Sequence, residues 1–323
     1  MPYTVIPISI ETKEERANHC AARVRYELKS DIYGCCIKLL TDSRELTEQW
    51  SDNFYNMSQS IRSHGRLFVF SDTSEKENTV YYDRQSKTAF LFNFRYYGWI
   101  KSIALSIAGD ILEDEHDIYS VHGACLDTEC GGVAILGASG AGKTTHTYGL
   151  LRDARVRVIS DDWFFARVYG RDILAYGSEK NFYIRADLAQ IWPEFADLVS
   201  QAQFDPEGRA IVDLRSVVGK GRILPLTTIR VLIILQRDAD EPQIKKDLDP
   251  RAAMAVIKEN AYFNPHLLVK DGFKTQLRDA FFHSLLARAR IVCVNTIHPP
   301  EQIQHIIRET VGLYAEGEKP TSV

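Results

Sequence analysis

The stretch Gly137-Ala138-Ser139-Gly140-Ala141-Gly142-Lys143-Thr144 constrains this chain more than any other segment. Val133 to Leu136 precede it as a short apolar strand, and a helix is expected to begin at once behind it. The pattern G-x-x-x-x-G-K-T thus stands in a strand-loop-helix setting, which an α/β core supplies. Small residues let backbone N–H groups turn inward around a phosphate, and the positive end of the following helix adds to the attraction. Lys143 is expected to reach the β- and γ-phosphates of ATP, and the Thr144 hydroxyl to ligate Mg2+, with Thr145 completing the phosphate-binding loop.

Two acids follow at a telling distance. Val156 to Ser160 is read as a strand ending in Asp161-Asp162, 18 and 19 residues after Lys143. One aspartate there can hold Mg2+ directly or through water, which leaves the other to take a proton from an attacking hydroxyl. Asp161 is the preferred base and Asp162 the preferred metal contact. A strand-end turn with solvated acids is the plain alternative. His122-Gly123 ends a strand fifteen residues before Gly137, and His122 is expected to position or tune the catalytic carboxylate.

The chain divides by character. Residues 1–95 are read as an α+β accessory region: strand-turn-strand over Arg23 to Leu40, a short helix at Leu46 to Tyr55, a strand at Arg66 to Phe70, and a hairpin at 79–92. Residues 96–323 are read as the nucleotide-binding kinase domain. It opens on a buried helix at Tyr97 to Leu112 and then alternates apolar strands and helices, with a very apolar strand at Thr228 to Leu235. The tail after Tyr314 is expected to fray.

Composition narrows the partners. A net charge of −4 and a pI near 6.2 offer no basic excess for nucleic acid or an anionic membrane. No apolar run is long enough to span a bilayer, and Met1-Pro2-Tyr3-Thr4 lacks a signal-peptide layout. Cys125 and Cys130, separated by four residues, have no second pair, so the six cysteines are expected to be buried reduced thiols in a cytoplasmic protein.

Taken together, His122-Gly123, the 137–143 loop and Asp161-Asp162 resemble the catalytic domain of the HPr kinase/phosphorylase family. Val212-Asp213-Leu214-Arg215-Ser216 is set against that family's hydrophobic-Glu-hydrophobic-Arg-Gly segment. Asp213 stands where the family has Glu, and Ser216 where it has Gly. The resemblance covers roughly residues 118–235. It implies an HPr kinase-type P-loop core, related to that of phosphoenolpyruvate carboxykinase, and transfer of the γ-phosphoryl group of ATP to a hydroxyl of a protein, peptide or small metabolite. It also implies Asp213 as a further metal contact, and it leans towards a homo-oligomer. Arg215, ahead of its neighbours Lys220 and Arg222, is the candidate for neutralising the transferring phosphoryl group; a basic surface turn is the alternative. Lys180 or Arg185, in the polar stretch 177–185, can meet an acceptor's carboxylate or phosphate, or can belong to a solvated loop. Two other classes stay open: an NTPase or switch without an acceptor, and a carboxykinase-like lyase.

Overall fold

Runs such as Leu67-Phe68-Val69-Phe70 and Ala89-Phe90-Leu91-Phe92 carry no polar alternation, which strands show when both faces are covered. The computed structural model describes residues 3–313, and there these runs are central strands. The chain divides into two units: residues 1–120, 178–181 and 265–276 in the first, and residues 121–177, 182–264 and 277–323 in the second.

The first unit is built in the order β1 (Thr4–Pro7), α1 (Ile10–Ala21), β2 (Tyr26–Ile32), β3 (Cys35–Thr41), α2 (Arg44–Asn53), β4 (Tyr55–Asn56), β5 (Gly65–Phe70), β6 (Thr79–Asp83), β7 (Thr88–Phe92) and α3 (Tyr97–Glu115). Its seven-stranded sheet runs β1-β6-β7-β5-β3-β2-β4, with β3, β5 and β7 parallel. The register places Leu40, Phe68 and Phe90 on one face, where they cluster with Cys20 of α1. The opposite face, with Leu39, Leu67 and Ala89, is buried as well, and α3 packs on β3, β5 and β7. Each large apolar side chain so buried contributes about 1.5–3 kcal/mol. That packing places α3 in the first unit, whose first segment runs to Ser120. The helix is buried along nearly its whole length and has no side-chain cap at its start. Packing, not propensity, sustains it.

Charge is also buried in this unit. The Lys274 ammonium, fully enclosed, lies 2.8 Å from Asp110 Oδ1, 3.1 Å from Glu113 Oε2 and 2.8 Å from Asp114 Oδ1. Lys87 Nζ adds contacts of 2.6 Å to Asp110 and 2.5 Å to Asp114, and the Tyr82 hydroxyl donates to Asp110 at 2.8 Å.

The second unit holds most of a nine-stranded sheet: β8 (Tyr119–His122), β9 (Ala124–Thr128), β10 (Gly131–Gly137), β11 (Arg157–Ser160), β12 (Trp163–Tyr169), β13 (Asp172–Gly177), and, after the ribbon β14 (Phe182–Arg185) and β15 (Arg209–Val212), β16 (Leu226–Gln236), β17 (Lys245–Asp247) and β18 (Arg290–Asn295). β16 is the hinge of this sheet. Its first residues pair antiparallel with β13, and the rest runs parallel between β10 and β18. Its helices are α4 (Lys143–Leu151), α5 (Leu188–Ile191), α6 (Ala196–Gln201), α7 (Arg215–Val218), α8 (Pro250–Glu259), the C-terminal part of α9 (Gly272–Leu286) and α10 (Pro300–Thr310). One core joins β9, β10, β16 and β18 to α4, α10 and the inner face of the β14–β15 ribbon. Mixed α/β architecture is therefore what this sequence folds into. The expectation for the tail after Tyr314 lies outside the described residues. All six cysteines are free; five are buried and Cys130 is exposed, at the turn between β9 and β10. Among the described residues no helix is long and apolar enough to cross a membrane.

Candidate active site

The 137–144 loop leaves the C-terminal end of β10, and its glycines are required one by one. A Cβ on Gly137 would lie 2.8 Å from the Leu235 carbonyl oxygen of the neighbouring parallel strand. Gly140 and Gly142 sit at φ of +82° and +97°, where side chains are strained. Gly142 caps α4 without a side-chain bond to its first N–H groups, so these donors are not claimed by the cap. Ala138, Ser139 and Gly140 are exposed, while Lys143, Thr144 and Thr145 are half-buried. Lys143 Nζ curls back to the carbonyls of Gly137 at 2.8 Å and Ala138 at 3.3 Å. Burial pushes its ammonium below the ordinary lysine range; the Asp162 carboxylate opposes that shift and Arg209 adds to it.

The loop is braced from behind. The Thr296 hydroxyl lies 3.0 Å from the Ala141 carbonyl and 3.1 Å from that of Gln236, and donates to one at a time. Trp192 Nε1 donates to the Thr145 carbonyl at 2.8 Å. Buried His146 reaches Gln304 of α10 at 3.0 Å through Nδ1.

Asp161 and Asp162 form the turn between β11 and β12, closed by hydrogen bonds of the Ser160 hydroxyl with Trp163. Asp161 is buried, and its Oδ2 accepts the Tyr183 N–H of β14 at 2.8 Å. Asp162 is about a third exposed and its Oδ1 lies 3.5 Å from His122 Nε2. The sequence reading pairs His122 with Asp161; the structure pairs it with Asp162. The other ring nitrogen, His122 Nδ1, is 2.7 Å from the Phe263 carbonyl oxygen. A carbonyl only accepts, so Nδ1 carries a proton and Nε2 faces the carboxylate.

Arg209 had no signal in the sequence, and it acts electrostatically on Lys143. It stands opposite Arg185 in the β14–β15 register, so two guanidinium-bearing residues share one face of a ribbon whose other face enters the core. Like charges directly opposite destabilise a strand pair. The tight turn before Arg209 is fixed by Asp205, whose carboxylate accepts the Arg209 N–H at 2.8 Å.

The other candidates are placed differently. Arg215 Nε donates to Asp213 Oδ1 at 2.6 Å, so the expected finger and the expected metal contact hold each other. Arg222 caps the chain end behind α4, donating to the carbonyls of Val156, Leu151 and Asp153 at 2.8, 2.7 and 2.6 Å; that role is structural. Lys180 belongs to the first unit, where it donates to the Ser51 carbonyl at 3.1 Å. Arg185 pairs with Asp187 at 3.3 Å.

Among the described residues no group of three or more His, Cys, Asp or Glu side chains is arranged to hold a metal ion. Mg2+ commonly needs no such cage, being bound by one or two protein oxygens together with substrate phosphates. The loop's open glycine turn, the α4 N–H groups and Lys143 fit a chain of phosphates, and the half-buried Thr144 hydroxyl is of the chemistry that holds an accompanying cation.

No family model matches this chain, and no curated protein matches it. Among solved structures it is similar to the Hpr(Ser) kinase/phosphatase from Coxiella burnetii, at 10% identity over 59% of this chain and 95% of that one, with a TM-score of 0.36. That is a distant likeness, too loose to carry residue roles from one protein to the other.

Proposed function

We propose that the chain is an ATP-dependent kinase that phosphorylates a hydroxyl group, with Asp162 as the general base. The observation that carries this is the pairing of Asp162 with His122, beside the glycine loop and in electrostatic reach of Lys143. A nucleotide-binding loop alone serves an NTPase or a switch equally well. A carboxylate paired with an imidazole whose outer nitrogen can take a proton is what hydroxyl activation needs.

The 137–145 loop and Lys143 hold the donor's phosphates, Lys143 exchanging its two carbonyl partners for phosphate oxygens. Mg2+ would be held by the Thr144 hydroxyl together with the donor's phosphates, and would supply charge neutralisation to the transferring group. Asp162 takes the acceptor's hydroxyl proton as its oxygen bonds to the γ-phosphorus, the bond to the β-bridging oxygen breaks, and ADP leaves. His122 Nε2 receives that proton from Asp162. Arg209 adds positive charge within electrostatic reach of Lys143. Asp161 ties the turn to β14 and has a positioning role.

The test is transfer from labelled ATP with Mg2+ into free amino acids, sugars, nucleosides and cell lysate. A labelled product that disappears in Lys143→Ala, and falls about 10²- to 10⁴-fold in Asp162→Asn with nucleotide binding kept, supports the reading. Label released only as free phosphate, whatever is added, moves the assignment to an NTPase.

A further inference from the structure

Behind α8 the backbone does something that its residues disfavour. Ala261, Tyr262 and Phe263 follow one another at φ of +49°, +58° and +55°. Single non-glycine residues visit this left-handed region; three in a row without a glycine or asparagine are rare, because each Cβ crowds the following carbonyl. The turn is nevertheless ordered. Phe263 N–H donates to the Asn260 carbonyl at 2.8 Å and Asn264 N–H to that of Ala261 at 3.1 Å. The Tyr262 hydroxyl donates to Asp279 at 2.6 Å, its ring stacks on Phe282, and Phe263 is buried. Surroundings that over-determine a strained backbone mark a place where its geometry is used. What this turn delivers is one carbonyl, that of Phe263, set 2.7 Å from His122 Nδ1.

We propose that the left-handed turn Ala261–Phe263 is the positioning element of the His122–Asp162 pair. By fixing the Phe263 carbonyl on Nδ1, it holds the imidazole with Nε2 turned towards Asp162. The inference rests on the acid–base role proposed for that pair. A right-handed turn over the same residues would swing the carbonyl away and free the ring to flip or change tautomer.

The test is ¹⁵N NMR of histidine-labelled protein, with the His122 signals assigned by their loss in His122→Asn. Wild-type protein is expected to show a protonated, pyrrole-type Nδ1 when the ring is neutral; a pyridine-type Nδ1 overturns the proposal without any variant. Ala261→Gly tolerates the left-handed φ and should keep the wild-type signature and transfer rate. Ala261→Val, whose branched side chain disfavours that φ, should give mixed tautomers and lower kcat at least ten-fold with KM for ATP nearly unchanged. A folded Ala261→Val protein with the wild-type signature and kcat overturns the proposal. The NMR arm needs no turnover, so a chain that proves not to be a kinase leaves the tautomer result readable and refutes only the reading beneath it.

Discussion

Lys143 spends its charge on two loop carbonyls, and the nearby Asp162 and Arg209 pull its ionisation in opposite directions. A third phosphate adds one negative charge to this balance and moves the doubly charged terminal group outward, so Arg209 should matter more for ATP than for ADP. Arg209→Ala is expected to weaken ATP binding about ten-fold, the loss of one charge-assisted hydrogen bond, while ADP changes two-fold or less. Arg209→Lys should recover part of the difference. Titration calorimetry with both nucleotides decides it: an equal loss for ATP and ADP would remove Arg209 from the terminal phosphate. Arg222 illustrates the opposite kind of arginine. It satisfies three backbone carbonyls behind α4, and Arg222→Ala should cost about 2–4 kcal/mol of stability in urea unfolding, since buried acceptors are left unpaired. Nucleotide selectivity should not change.

At the scale of elements, the loop takes its shape from the close parallel pairing of β10 and β16, and α4 begins behind it without a side-chain cap. Gly142→Ala forces an alanine to φ of +97° with the His146 ring 3.2 Å from its Cβ. It should destabilise the unit by about 1–3 kcal/mol and weaken nucleotide binding with it. Thermal melts with and without ATP separate the two effects, and a variant with wild-type melting temperature and affinity would show that the cradle does not need this conformation. What was legible in the sequence follows the same line. The strand-loop-helix segment and the two acids could be read because their information is local: glycine spacing, strand patterning, a Lys next to a Thr. Which aspartate faces His122 could not, because it depends on the Ser160–Trp163 turn and on Tyr183, over twenty residues away. Arg209 was hidden for a similar reason, its position being set by a ribbon register. The Ala261–Phe263 turn carried no signal, since none of its residues is a type that favours left-handed backbone. Arg215 stood out beside Lys220 and Arg222, and its bond to Asp213, two residues away, is a contact the sequence reading did not anticipate.

At the scale of the whole molecule, each unit holds carboxyls that folding makes more acidic, and in the first unit they gather on one lysine–carboxylate cluster. Burial opposes ionisation of Asp114, but the hydrogen bonds and charges of Lys274 and Lys87 outweigh burial and hold its carboxyl down at about 2. Asp110 is likewise lowered against its own burial by the same two lysines. A carboxyl that binds its proton less readily folded than unfolded stabilises the fold above its unfolded value, near 3.8, and loses that contribution as pH falls through the folded one. The window is therefore about pH 4 down to 2. Lys274 works at the other end: raised above its ordinary 10.5, it contributes at neutral pH and is lost only in strong alkali. Hydrogen-exchange protection of peptides from 97–115, corrected for the intrinsic pH dependence of exchange, should stay flat from pH 7 to about 4 and then fall steeply. In Asp114→Asn the plateau should be lower and the fall below pH 4 shallower, because one of the groups that supplies the slope is gone. Asp110→Asn should lower the plateau further, since it leaves the enclosed Lys274 with fewer counter-charges, and removing one partner of a buried pair costs about 3–5 kcal/mol. A wild-type curve that declines evenly from pH 7 would mean that this lysine–carboxylate cluster is not what ties the first unit's stability to pH.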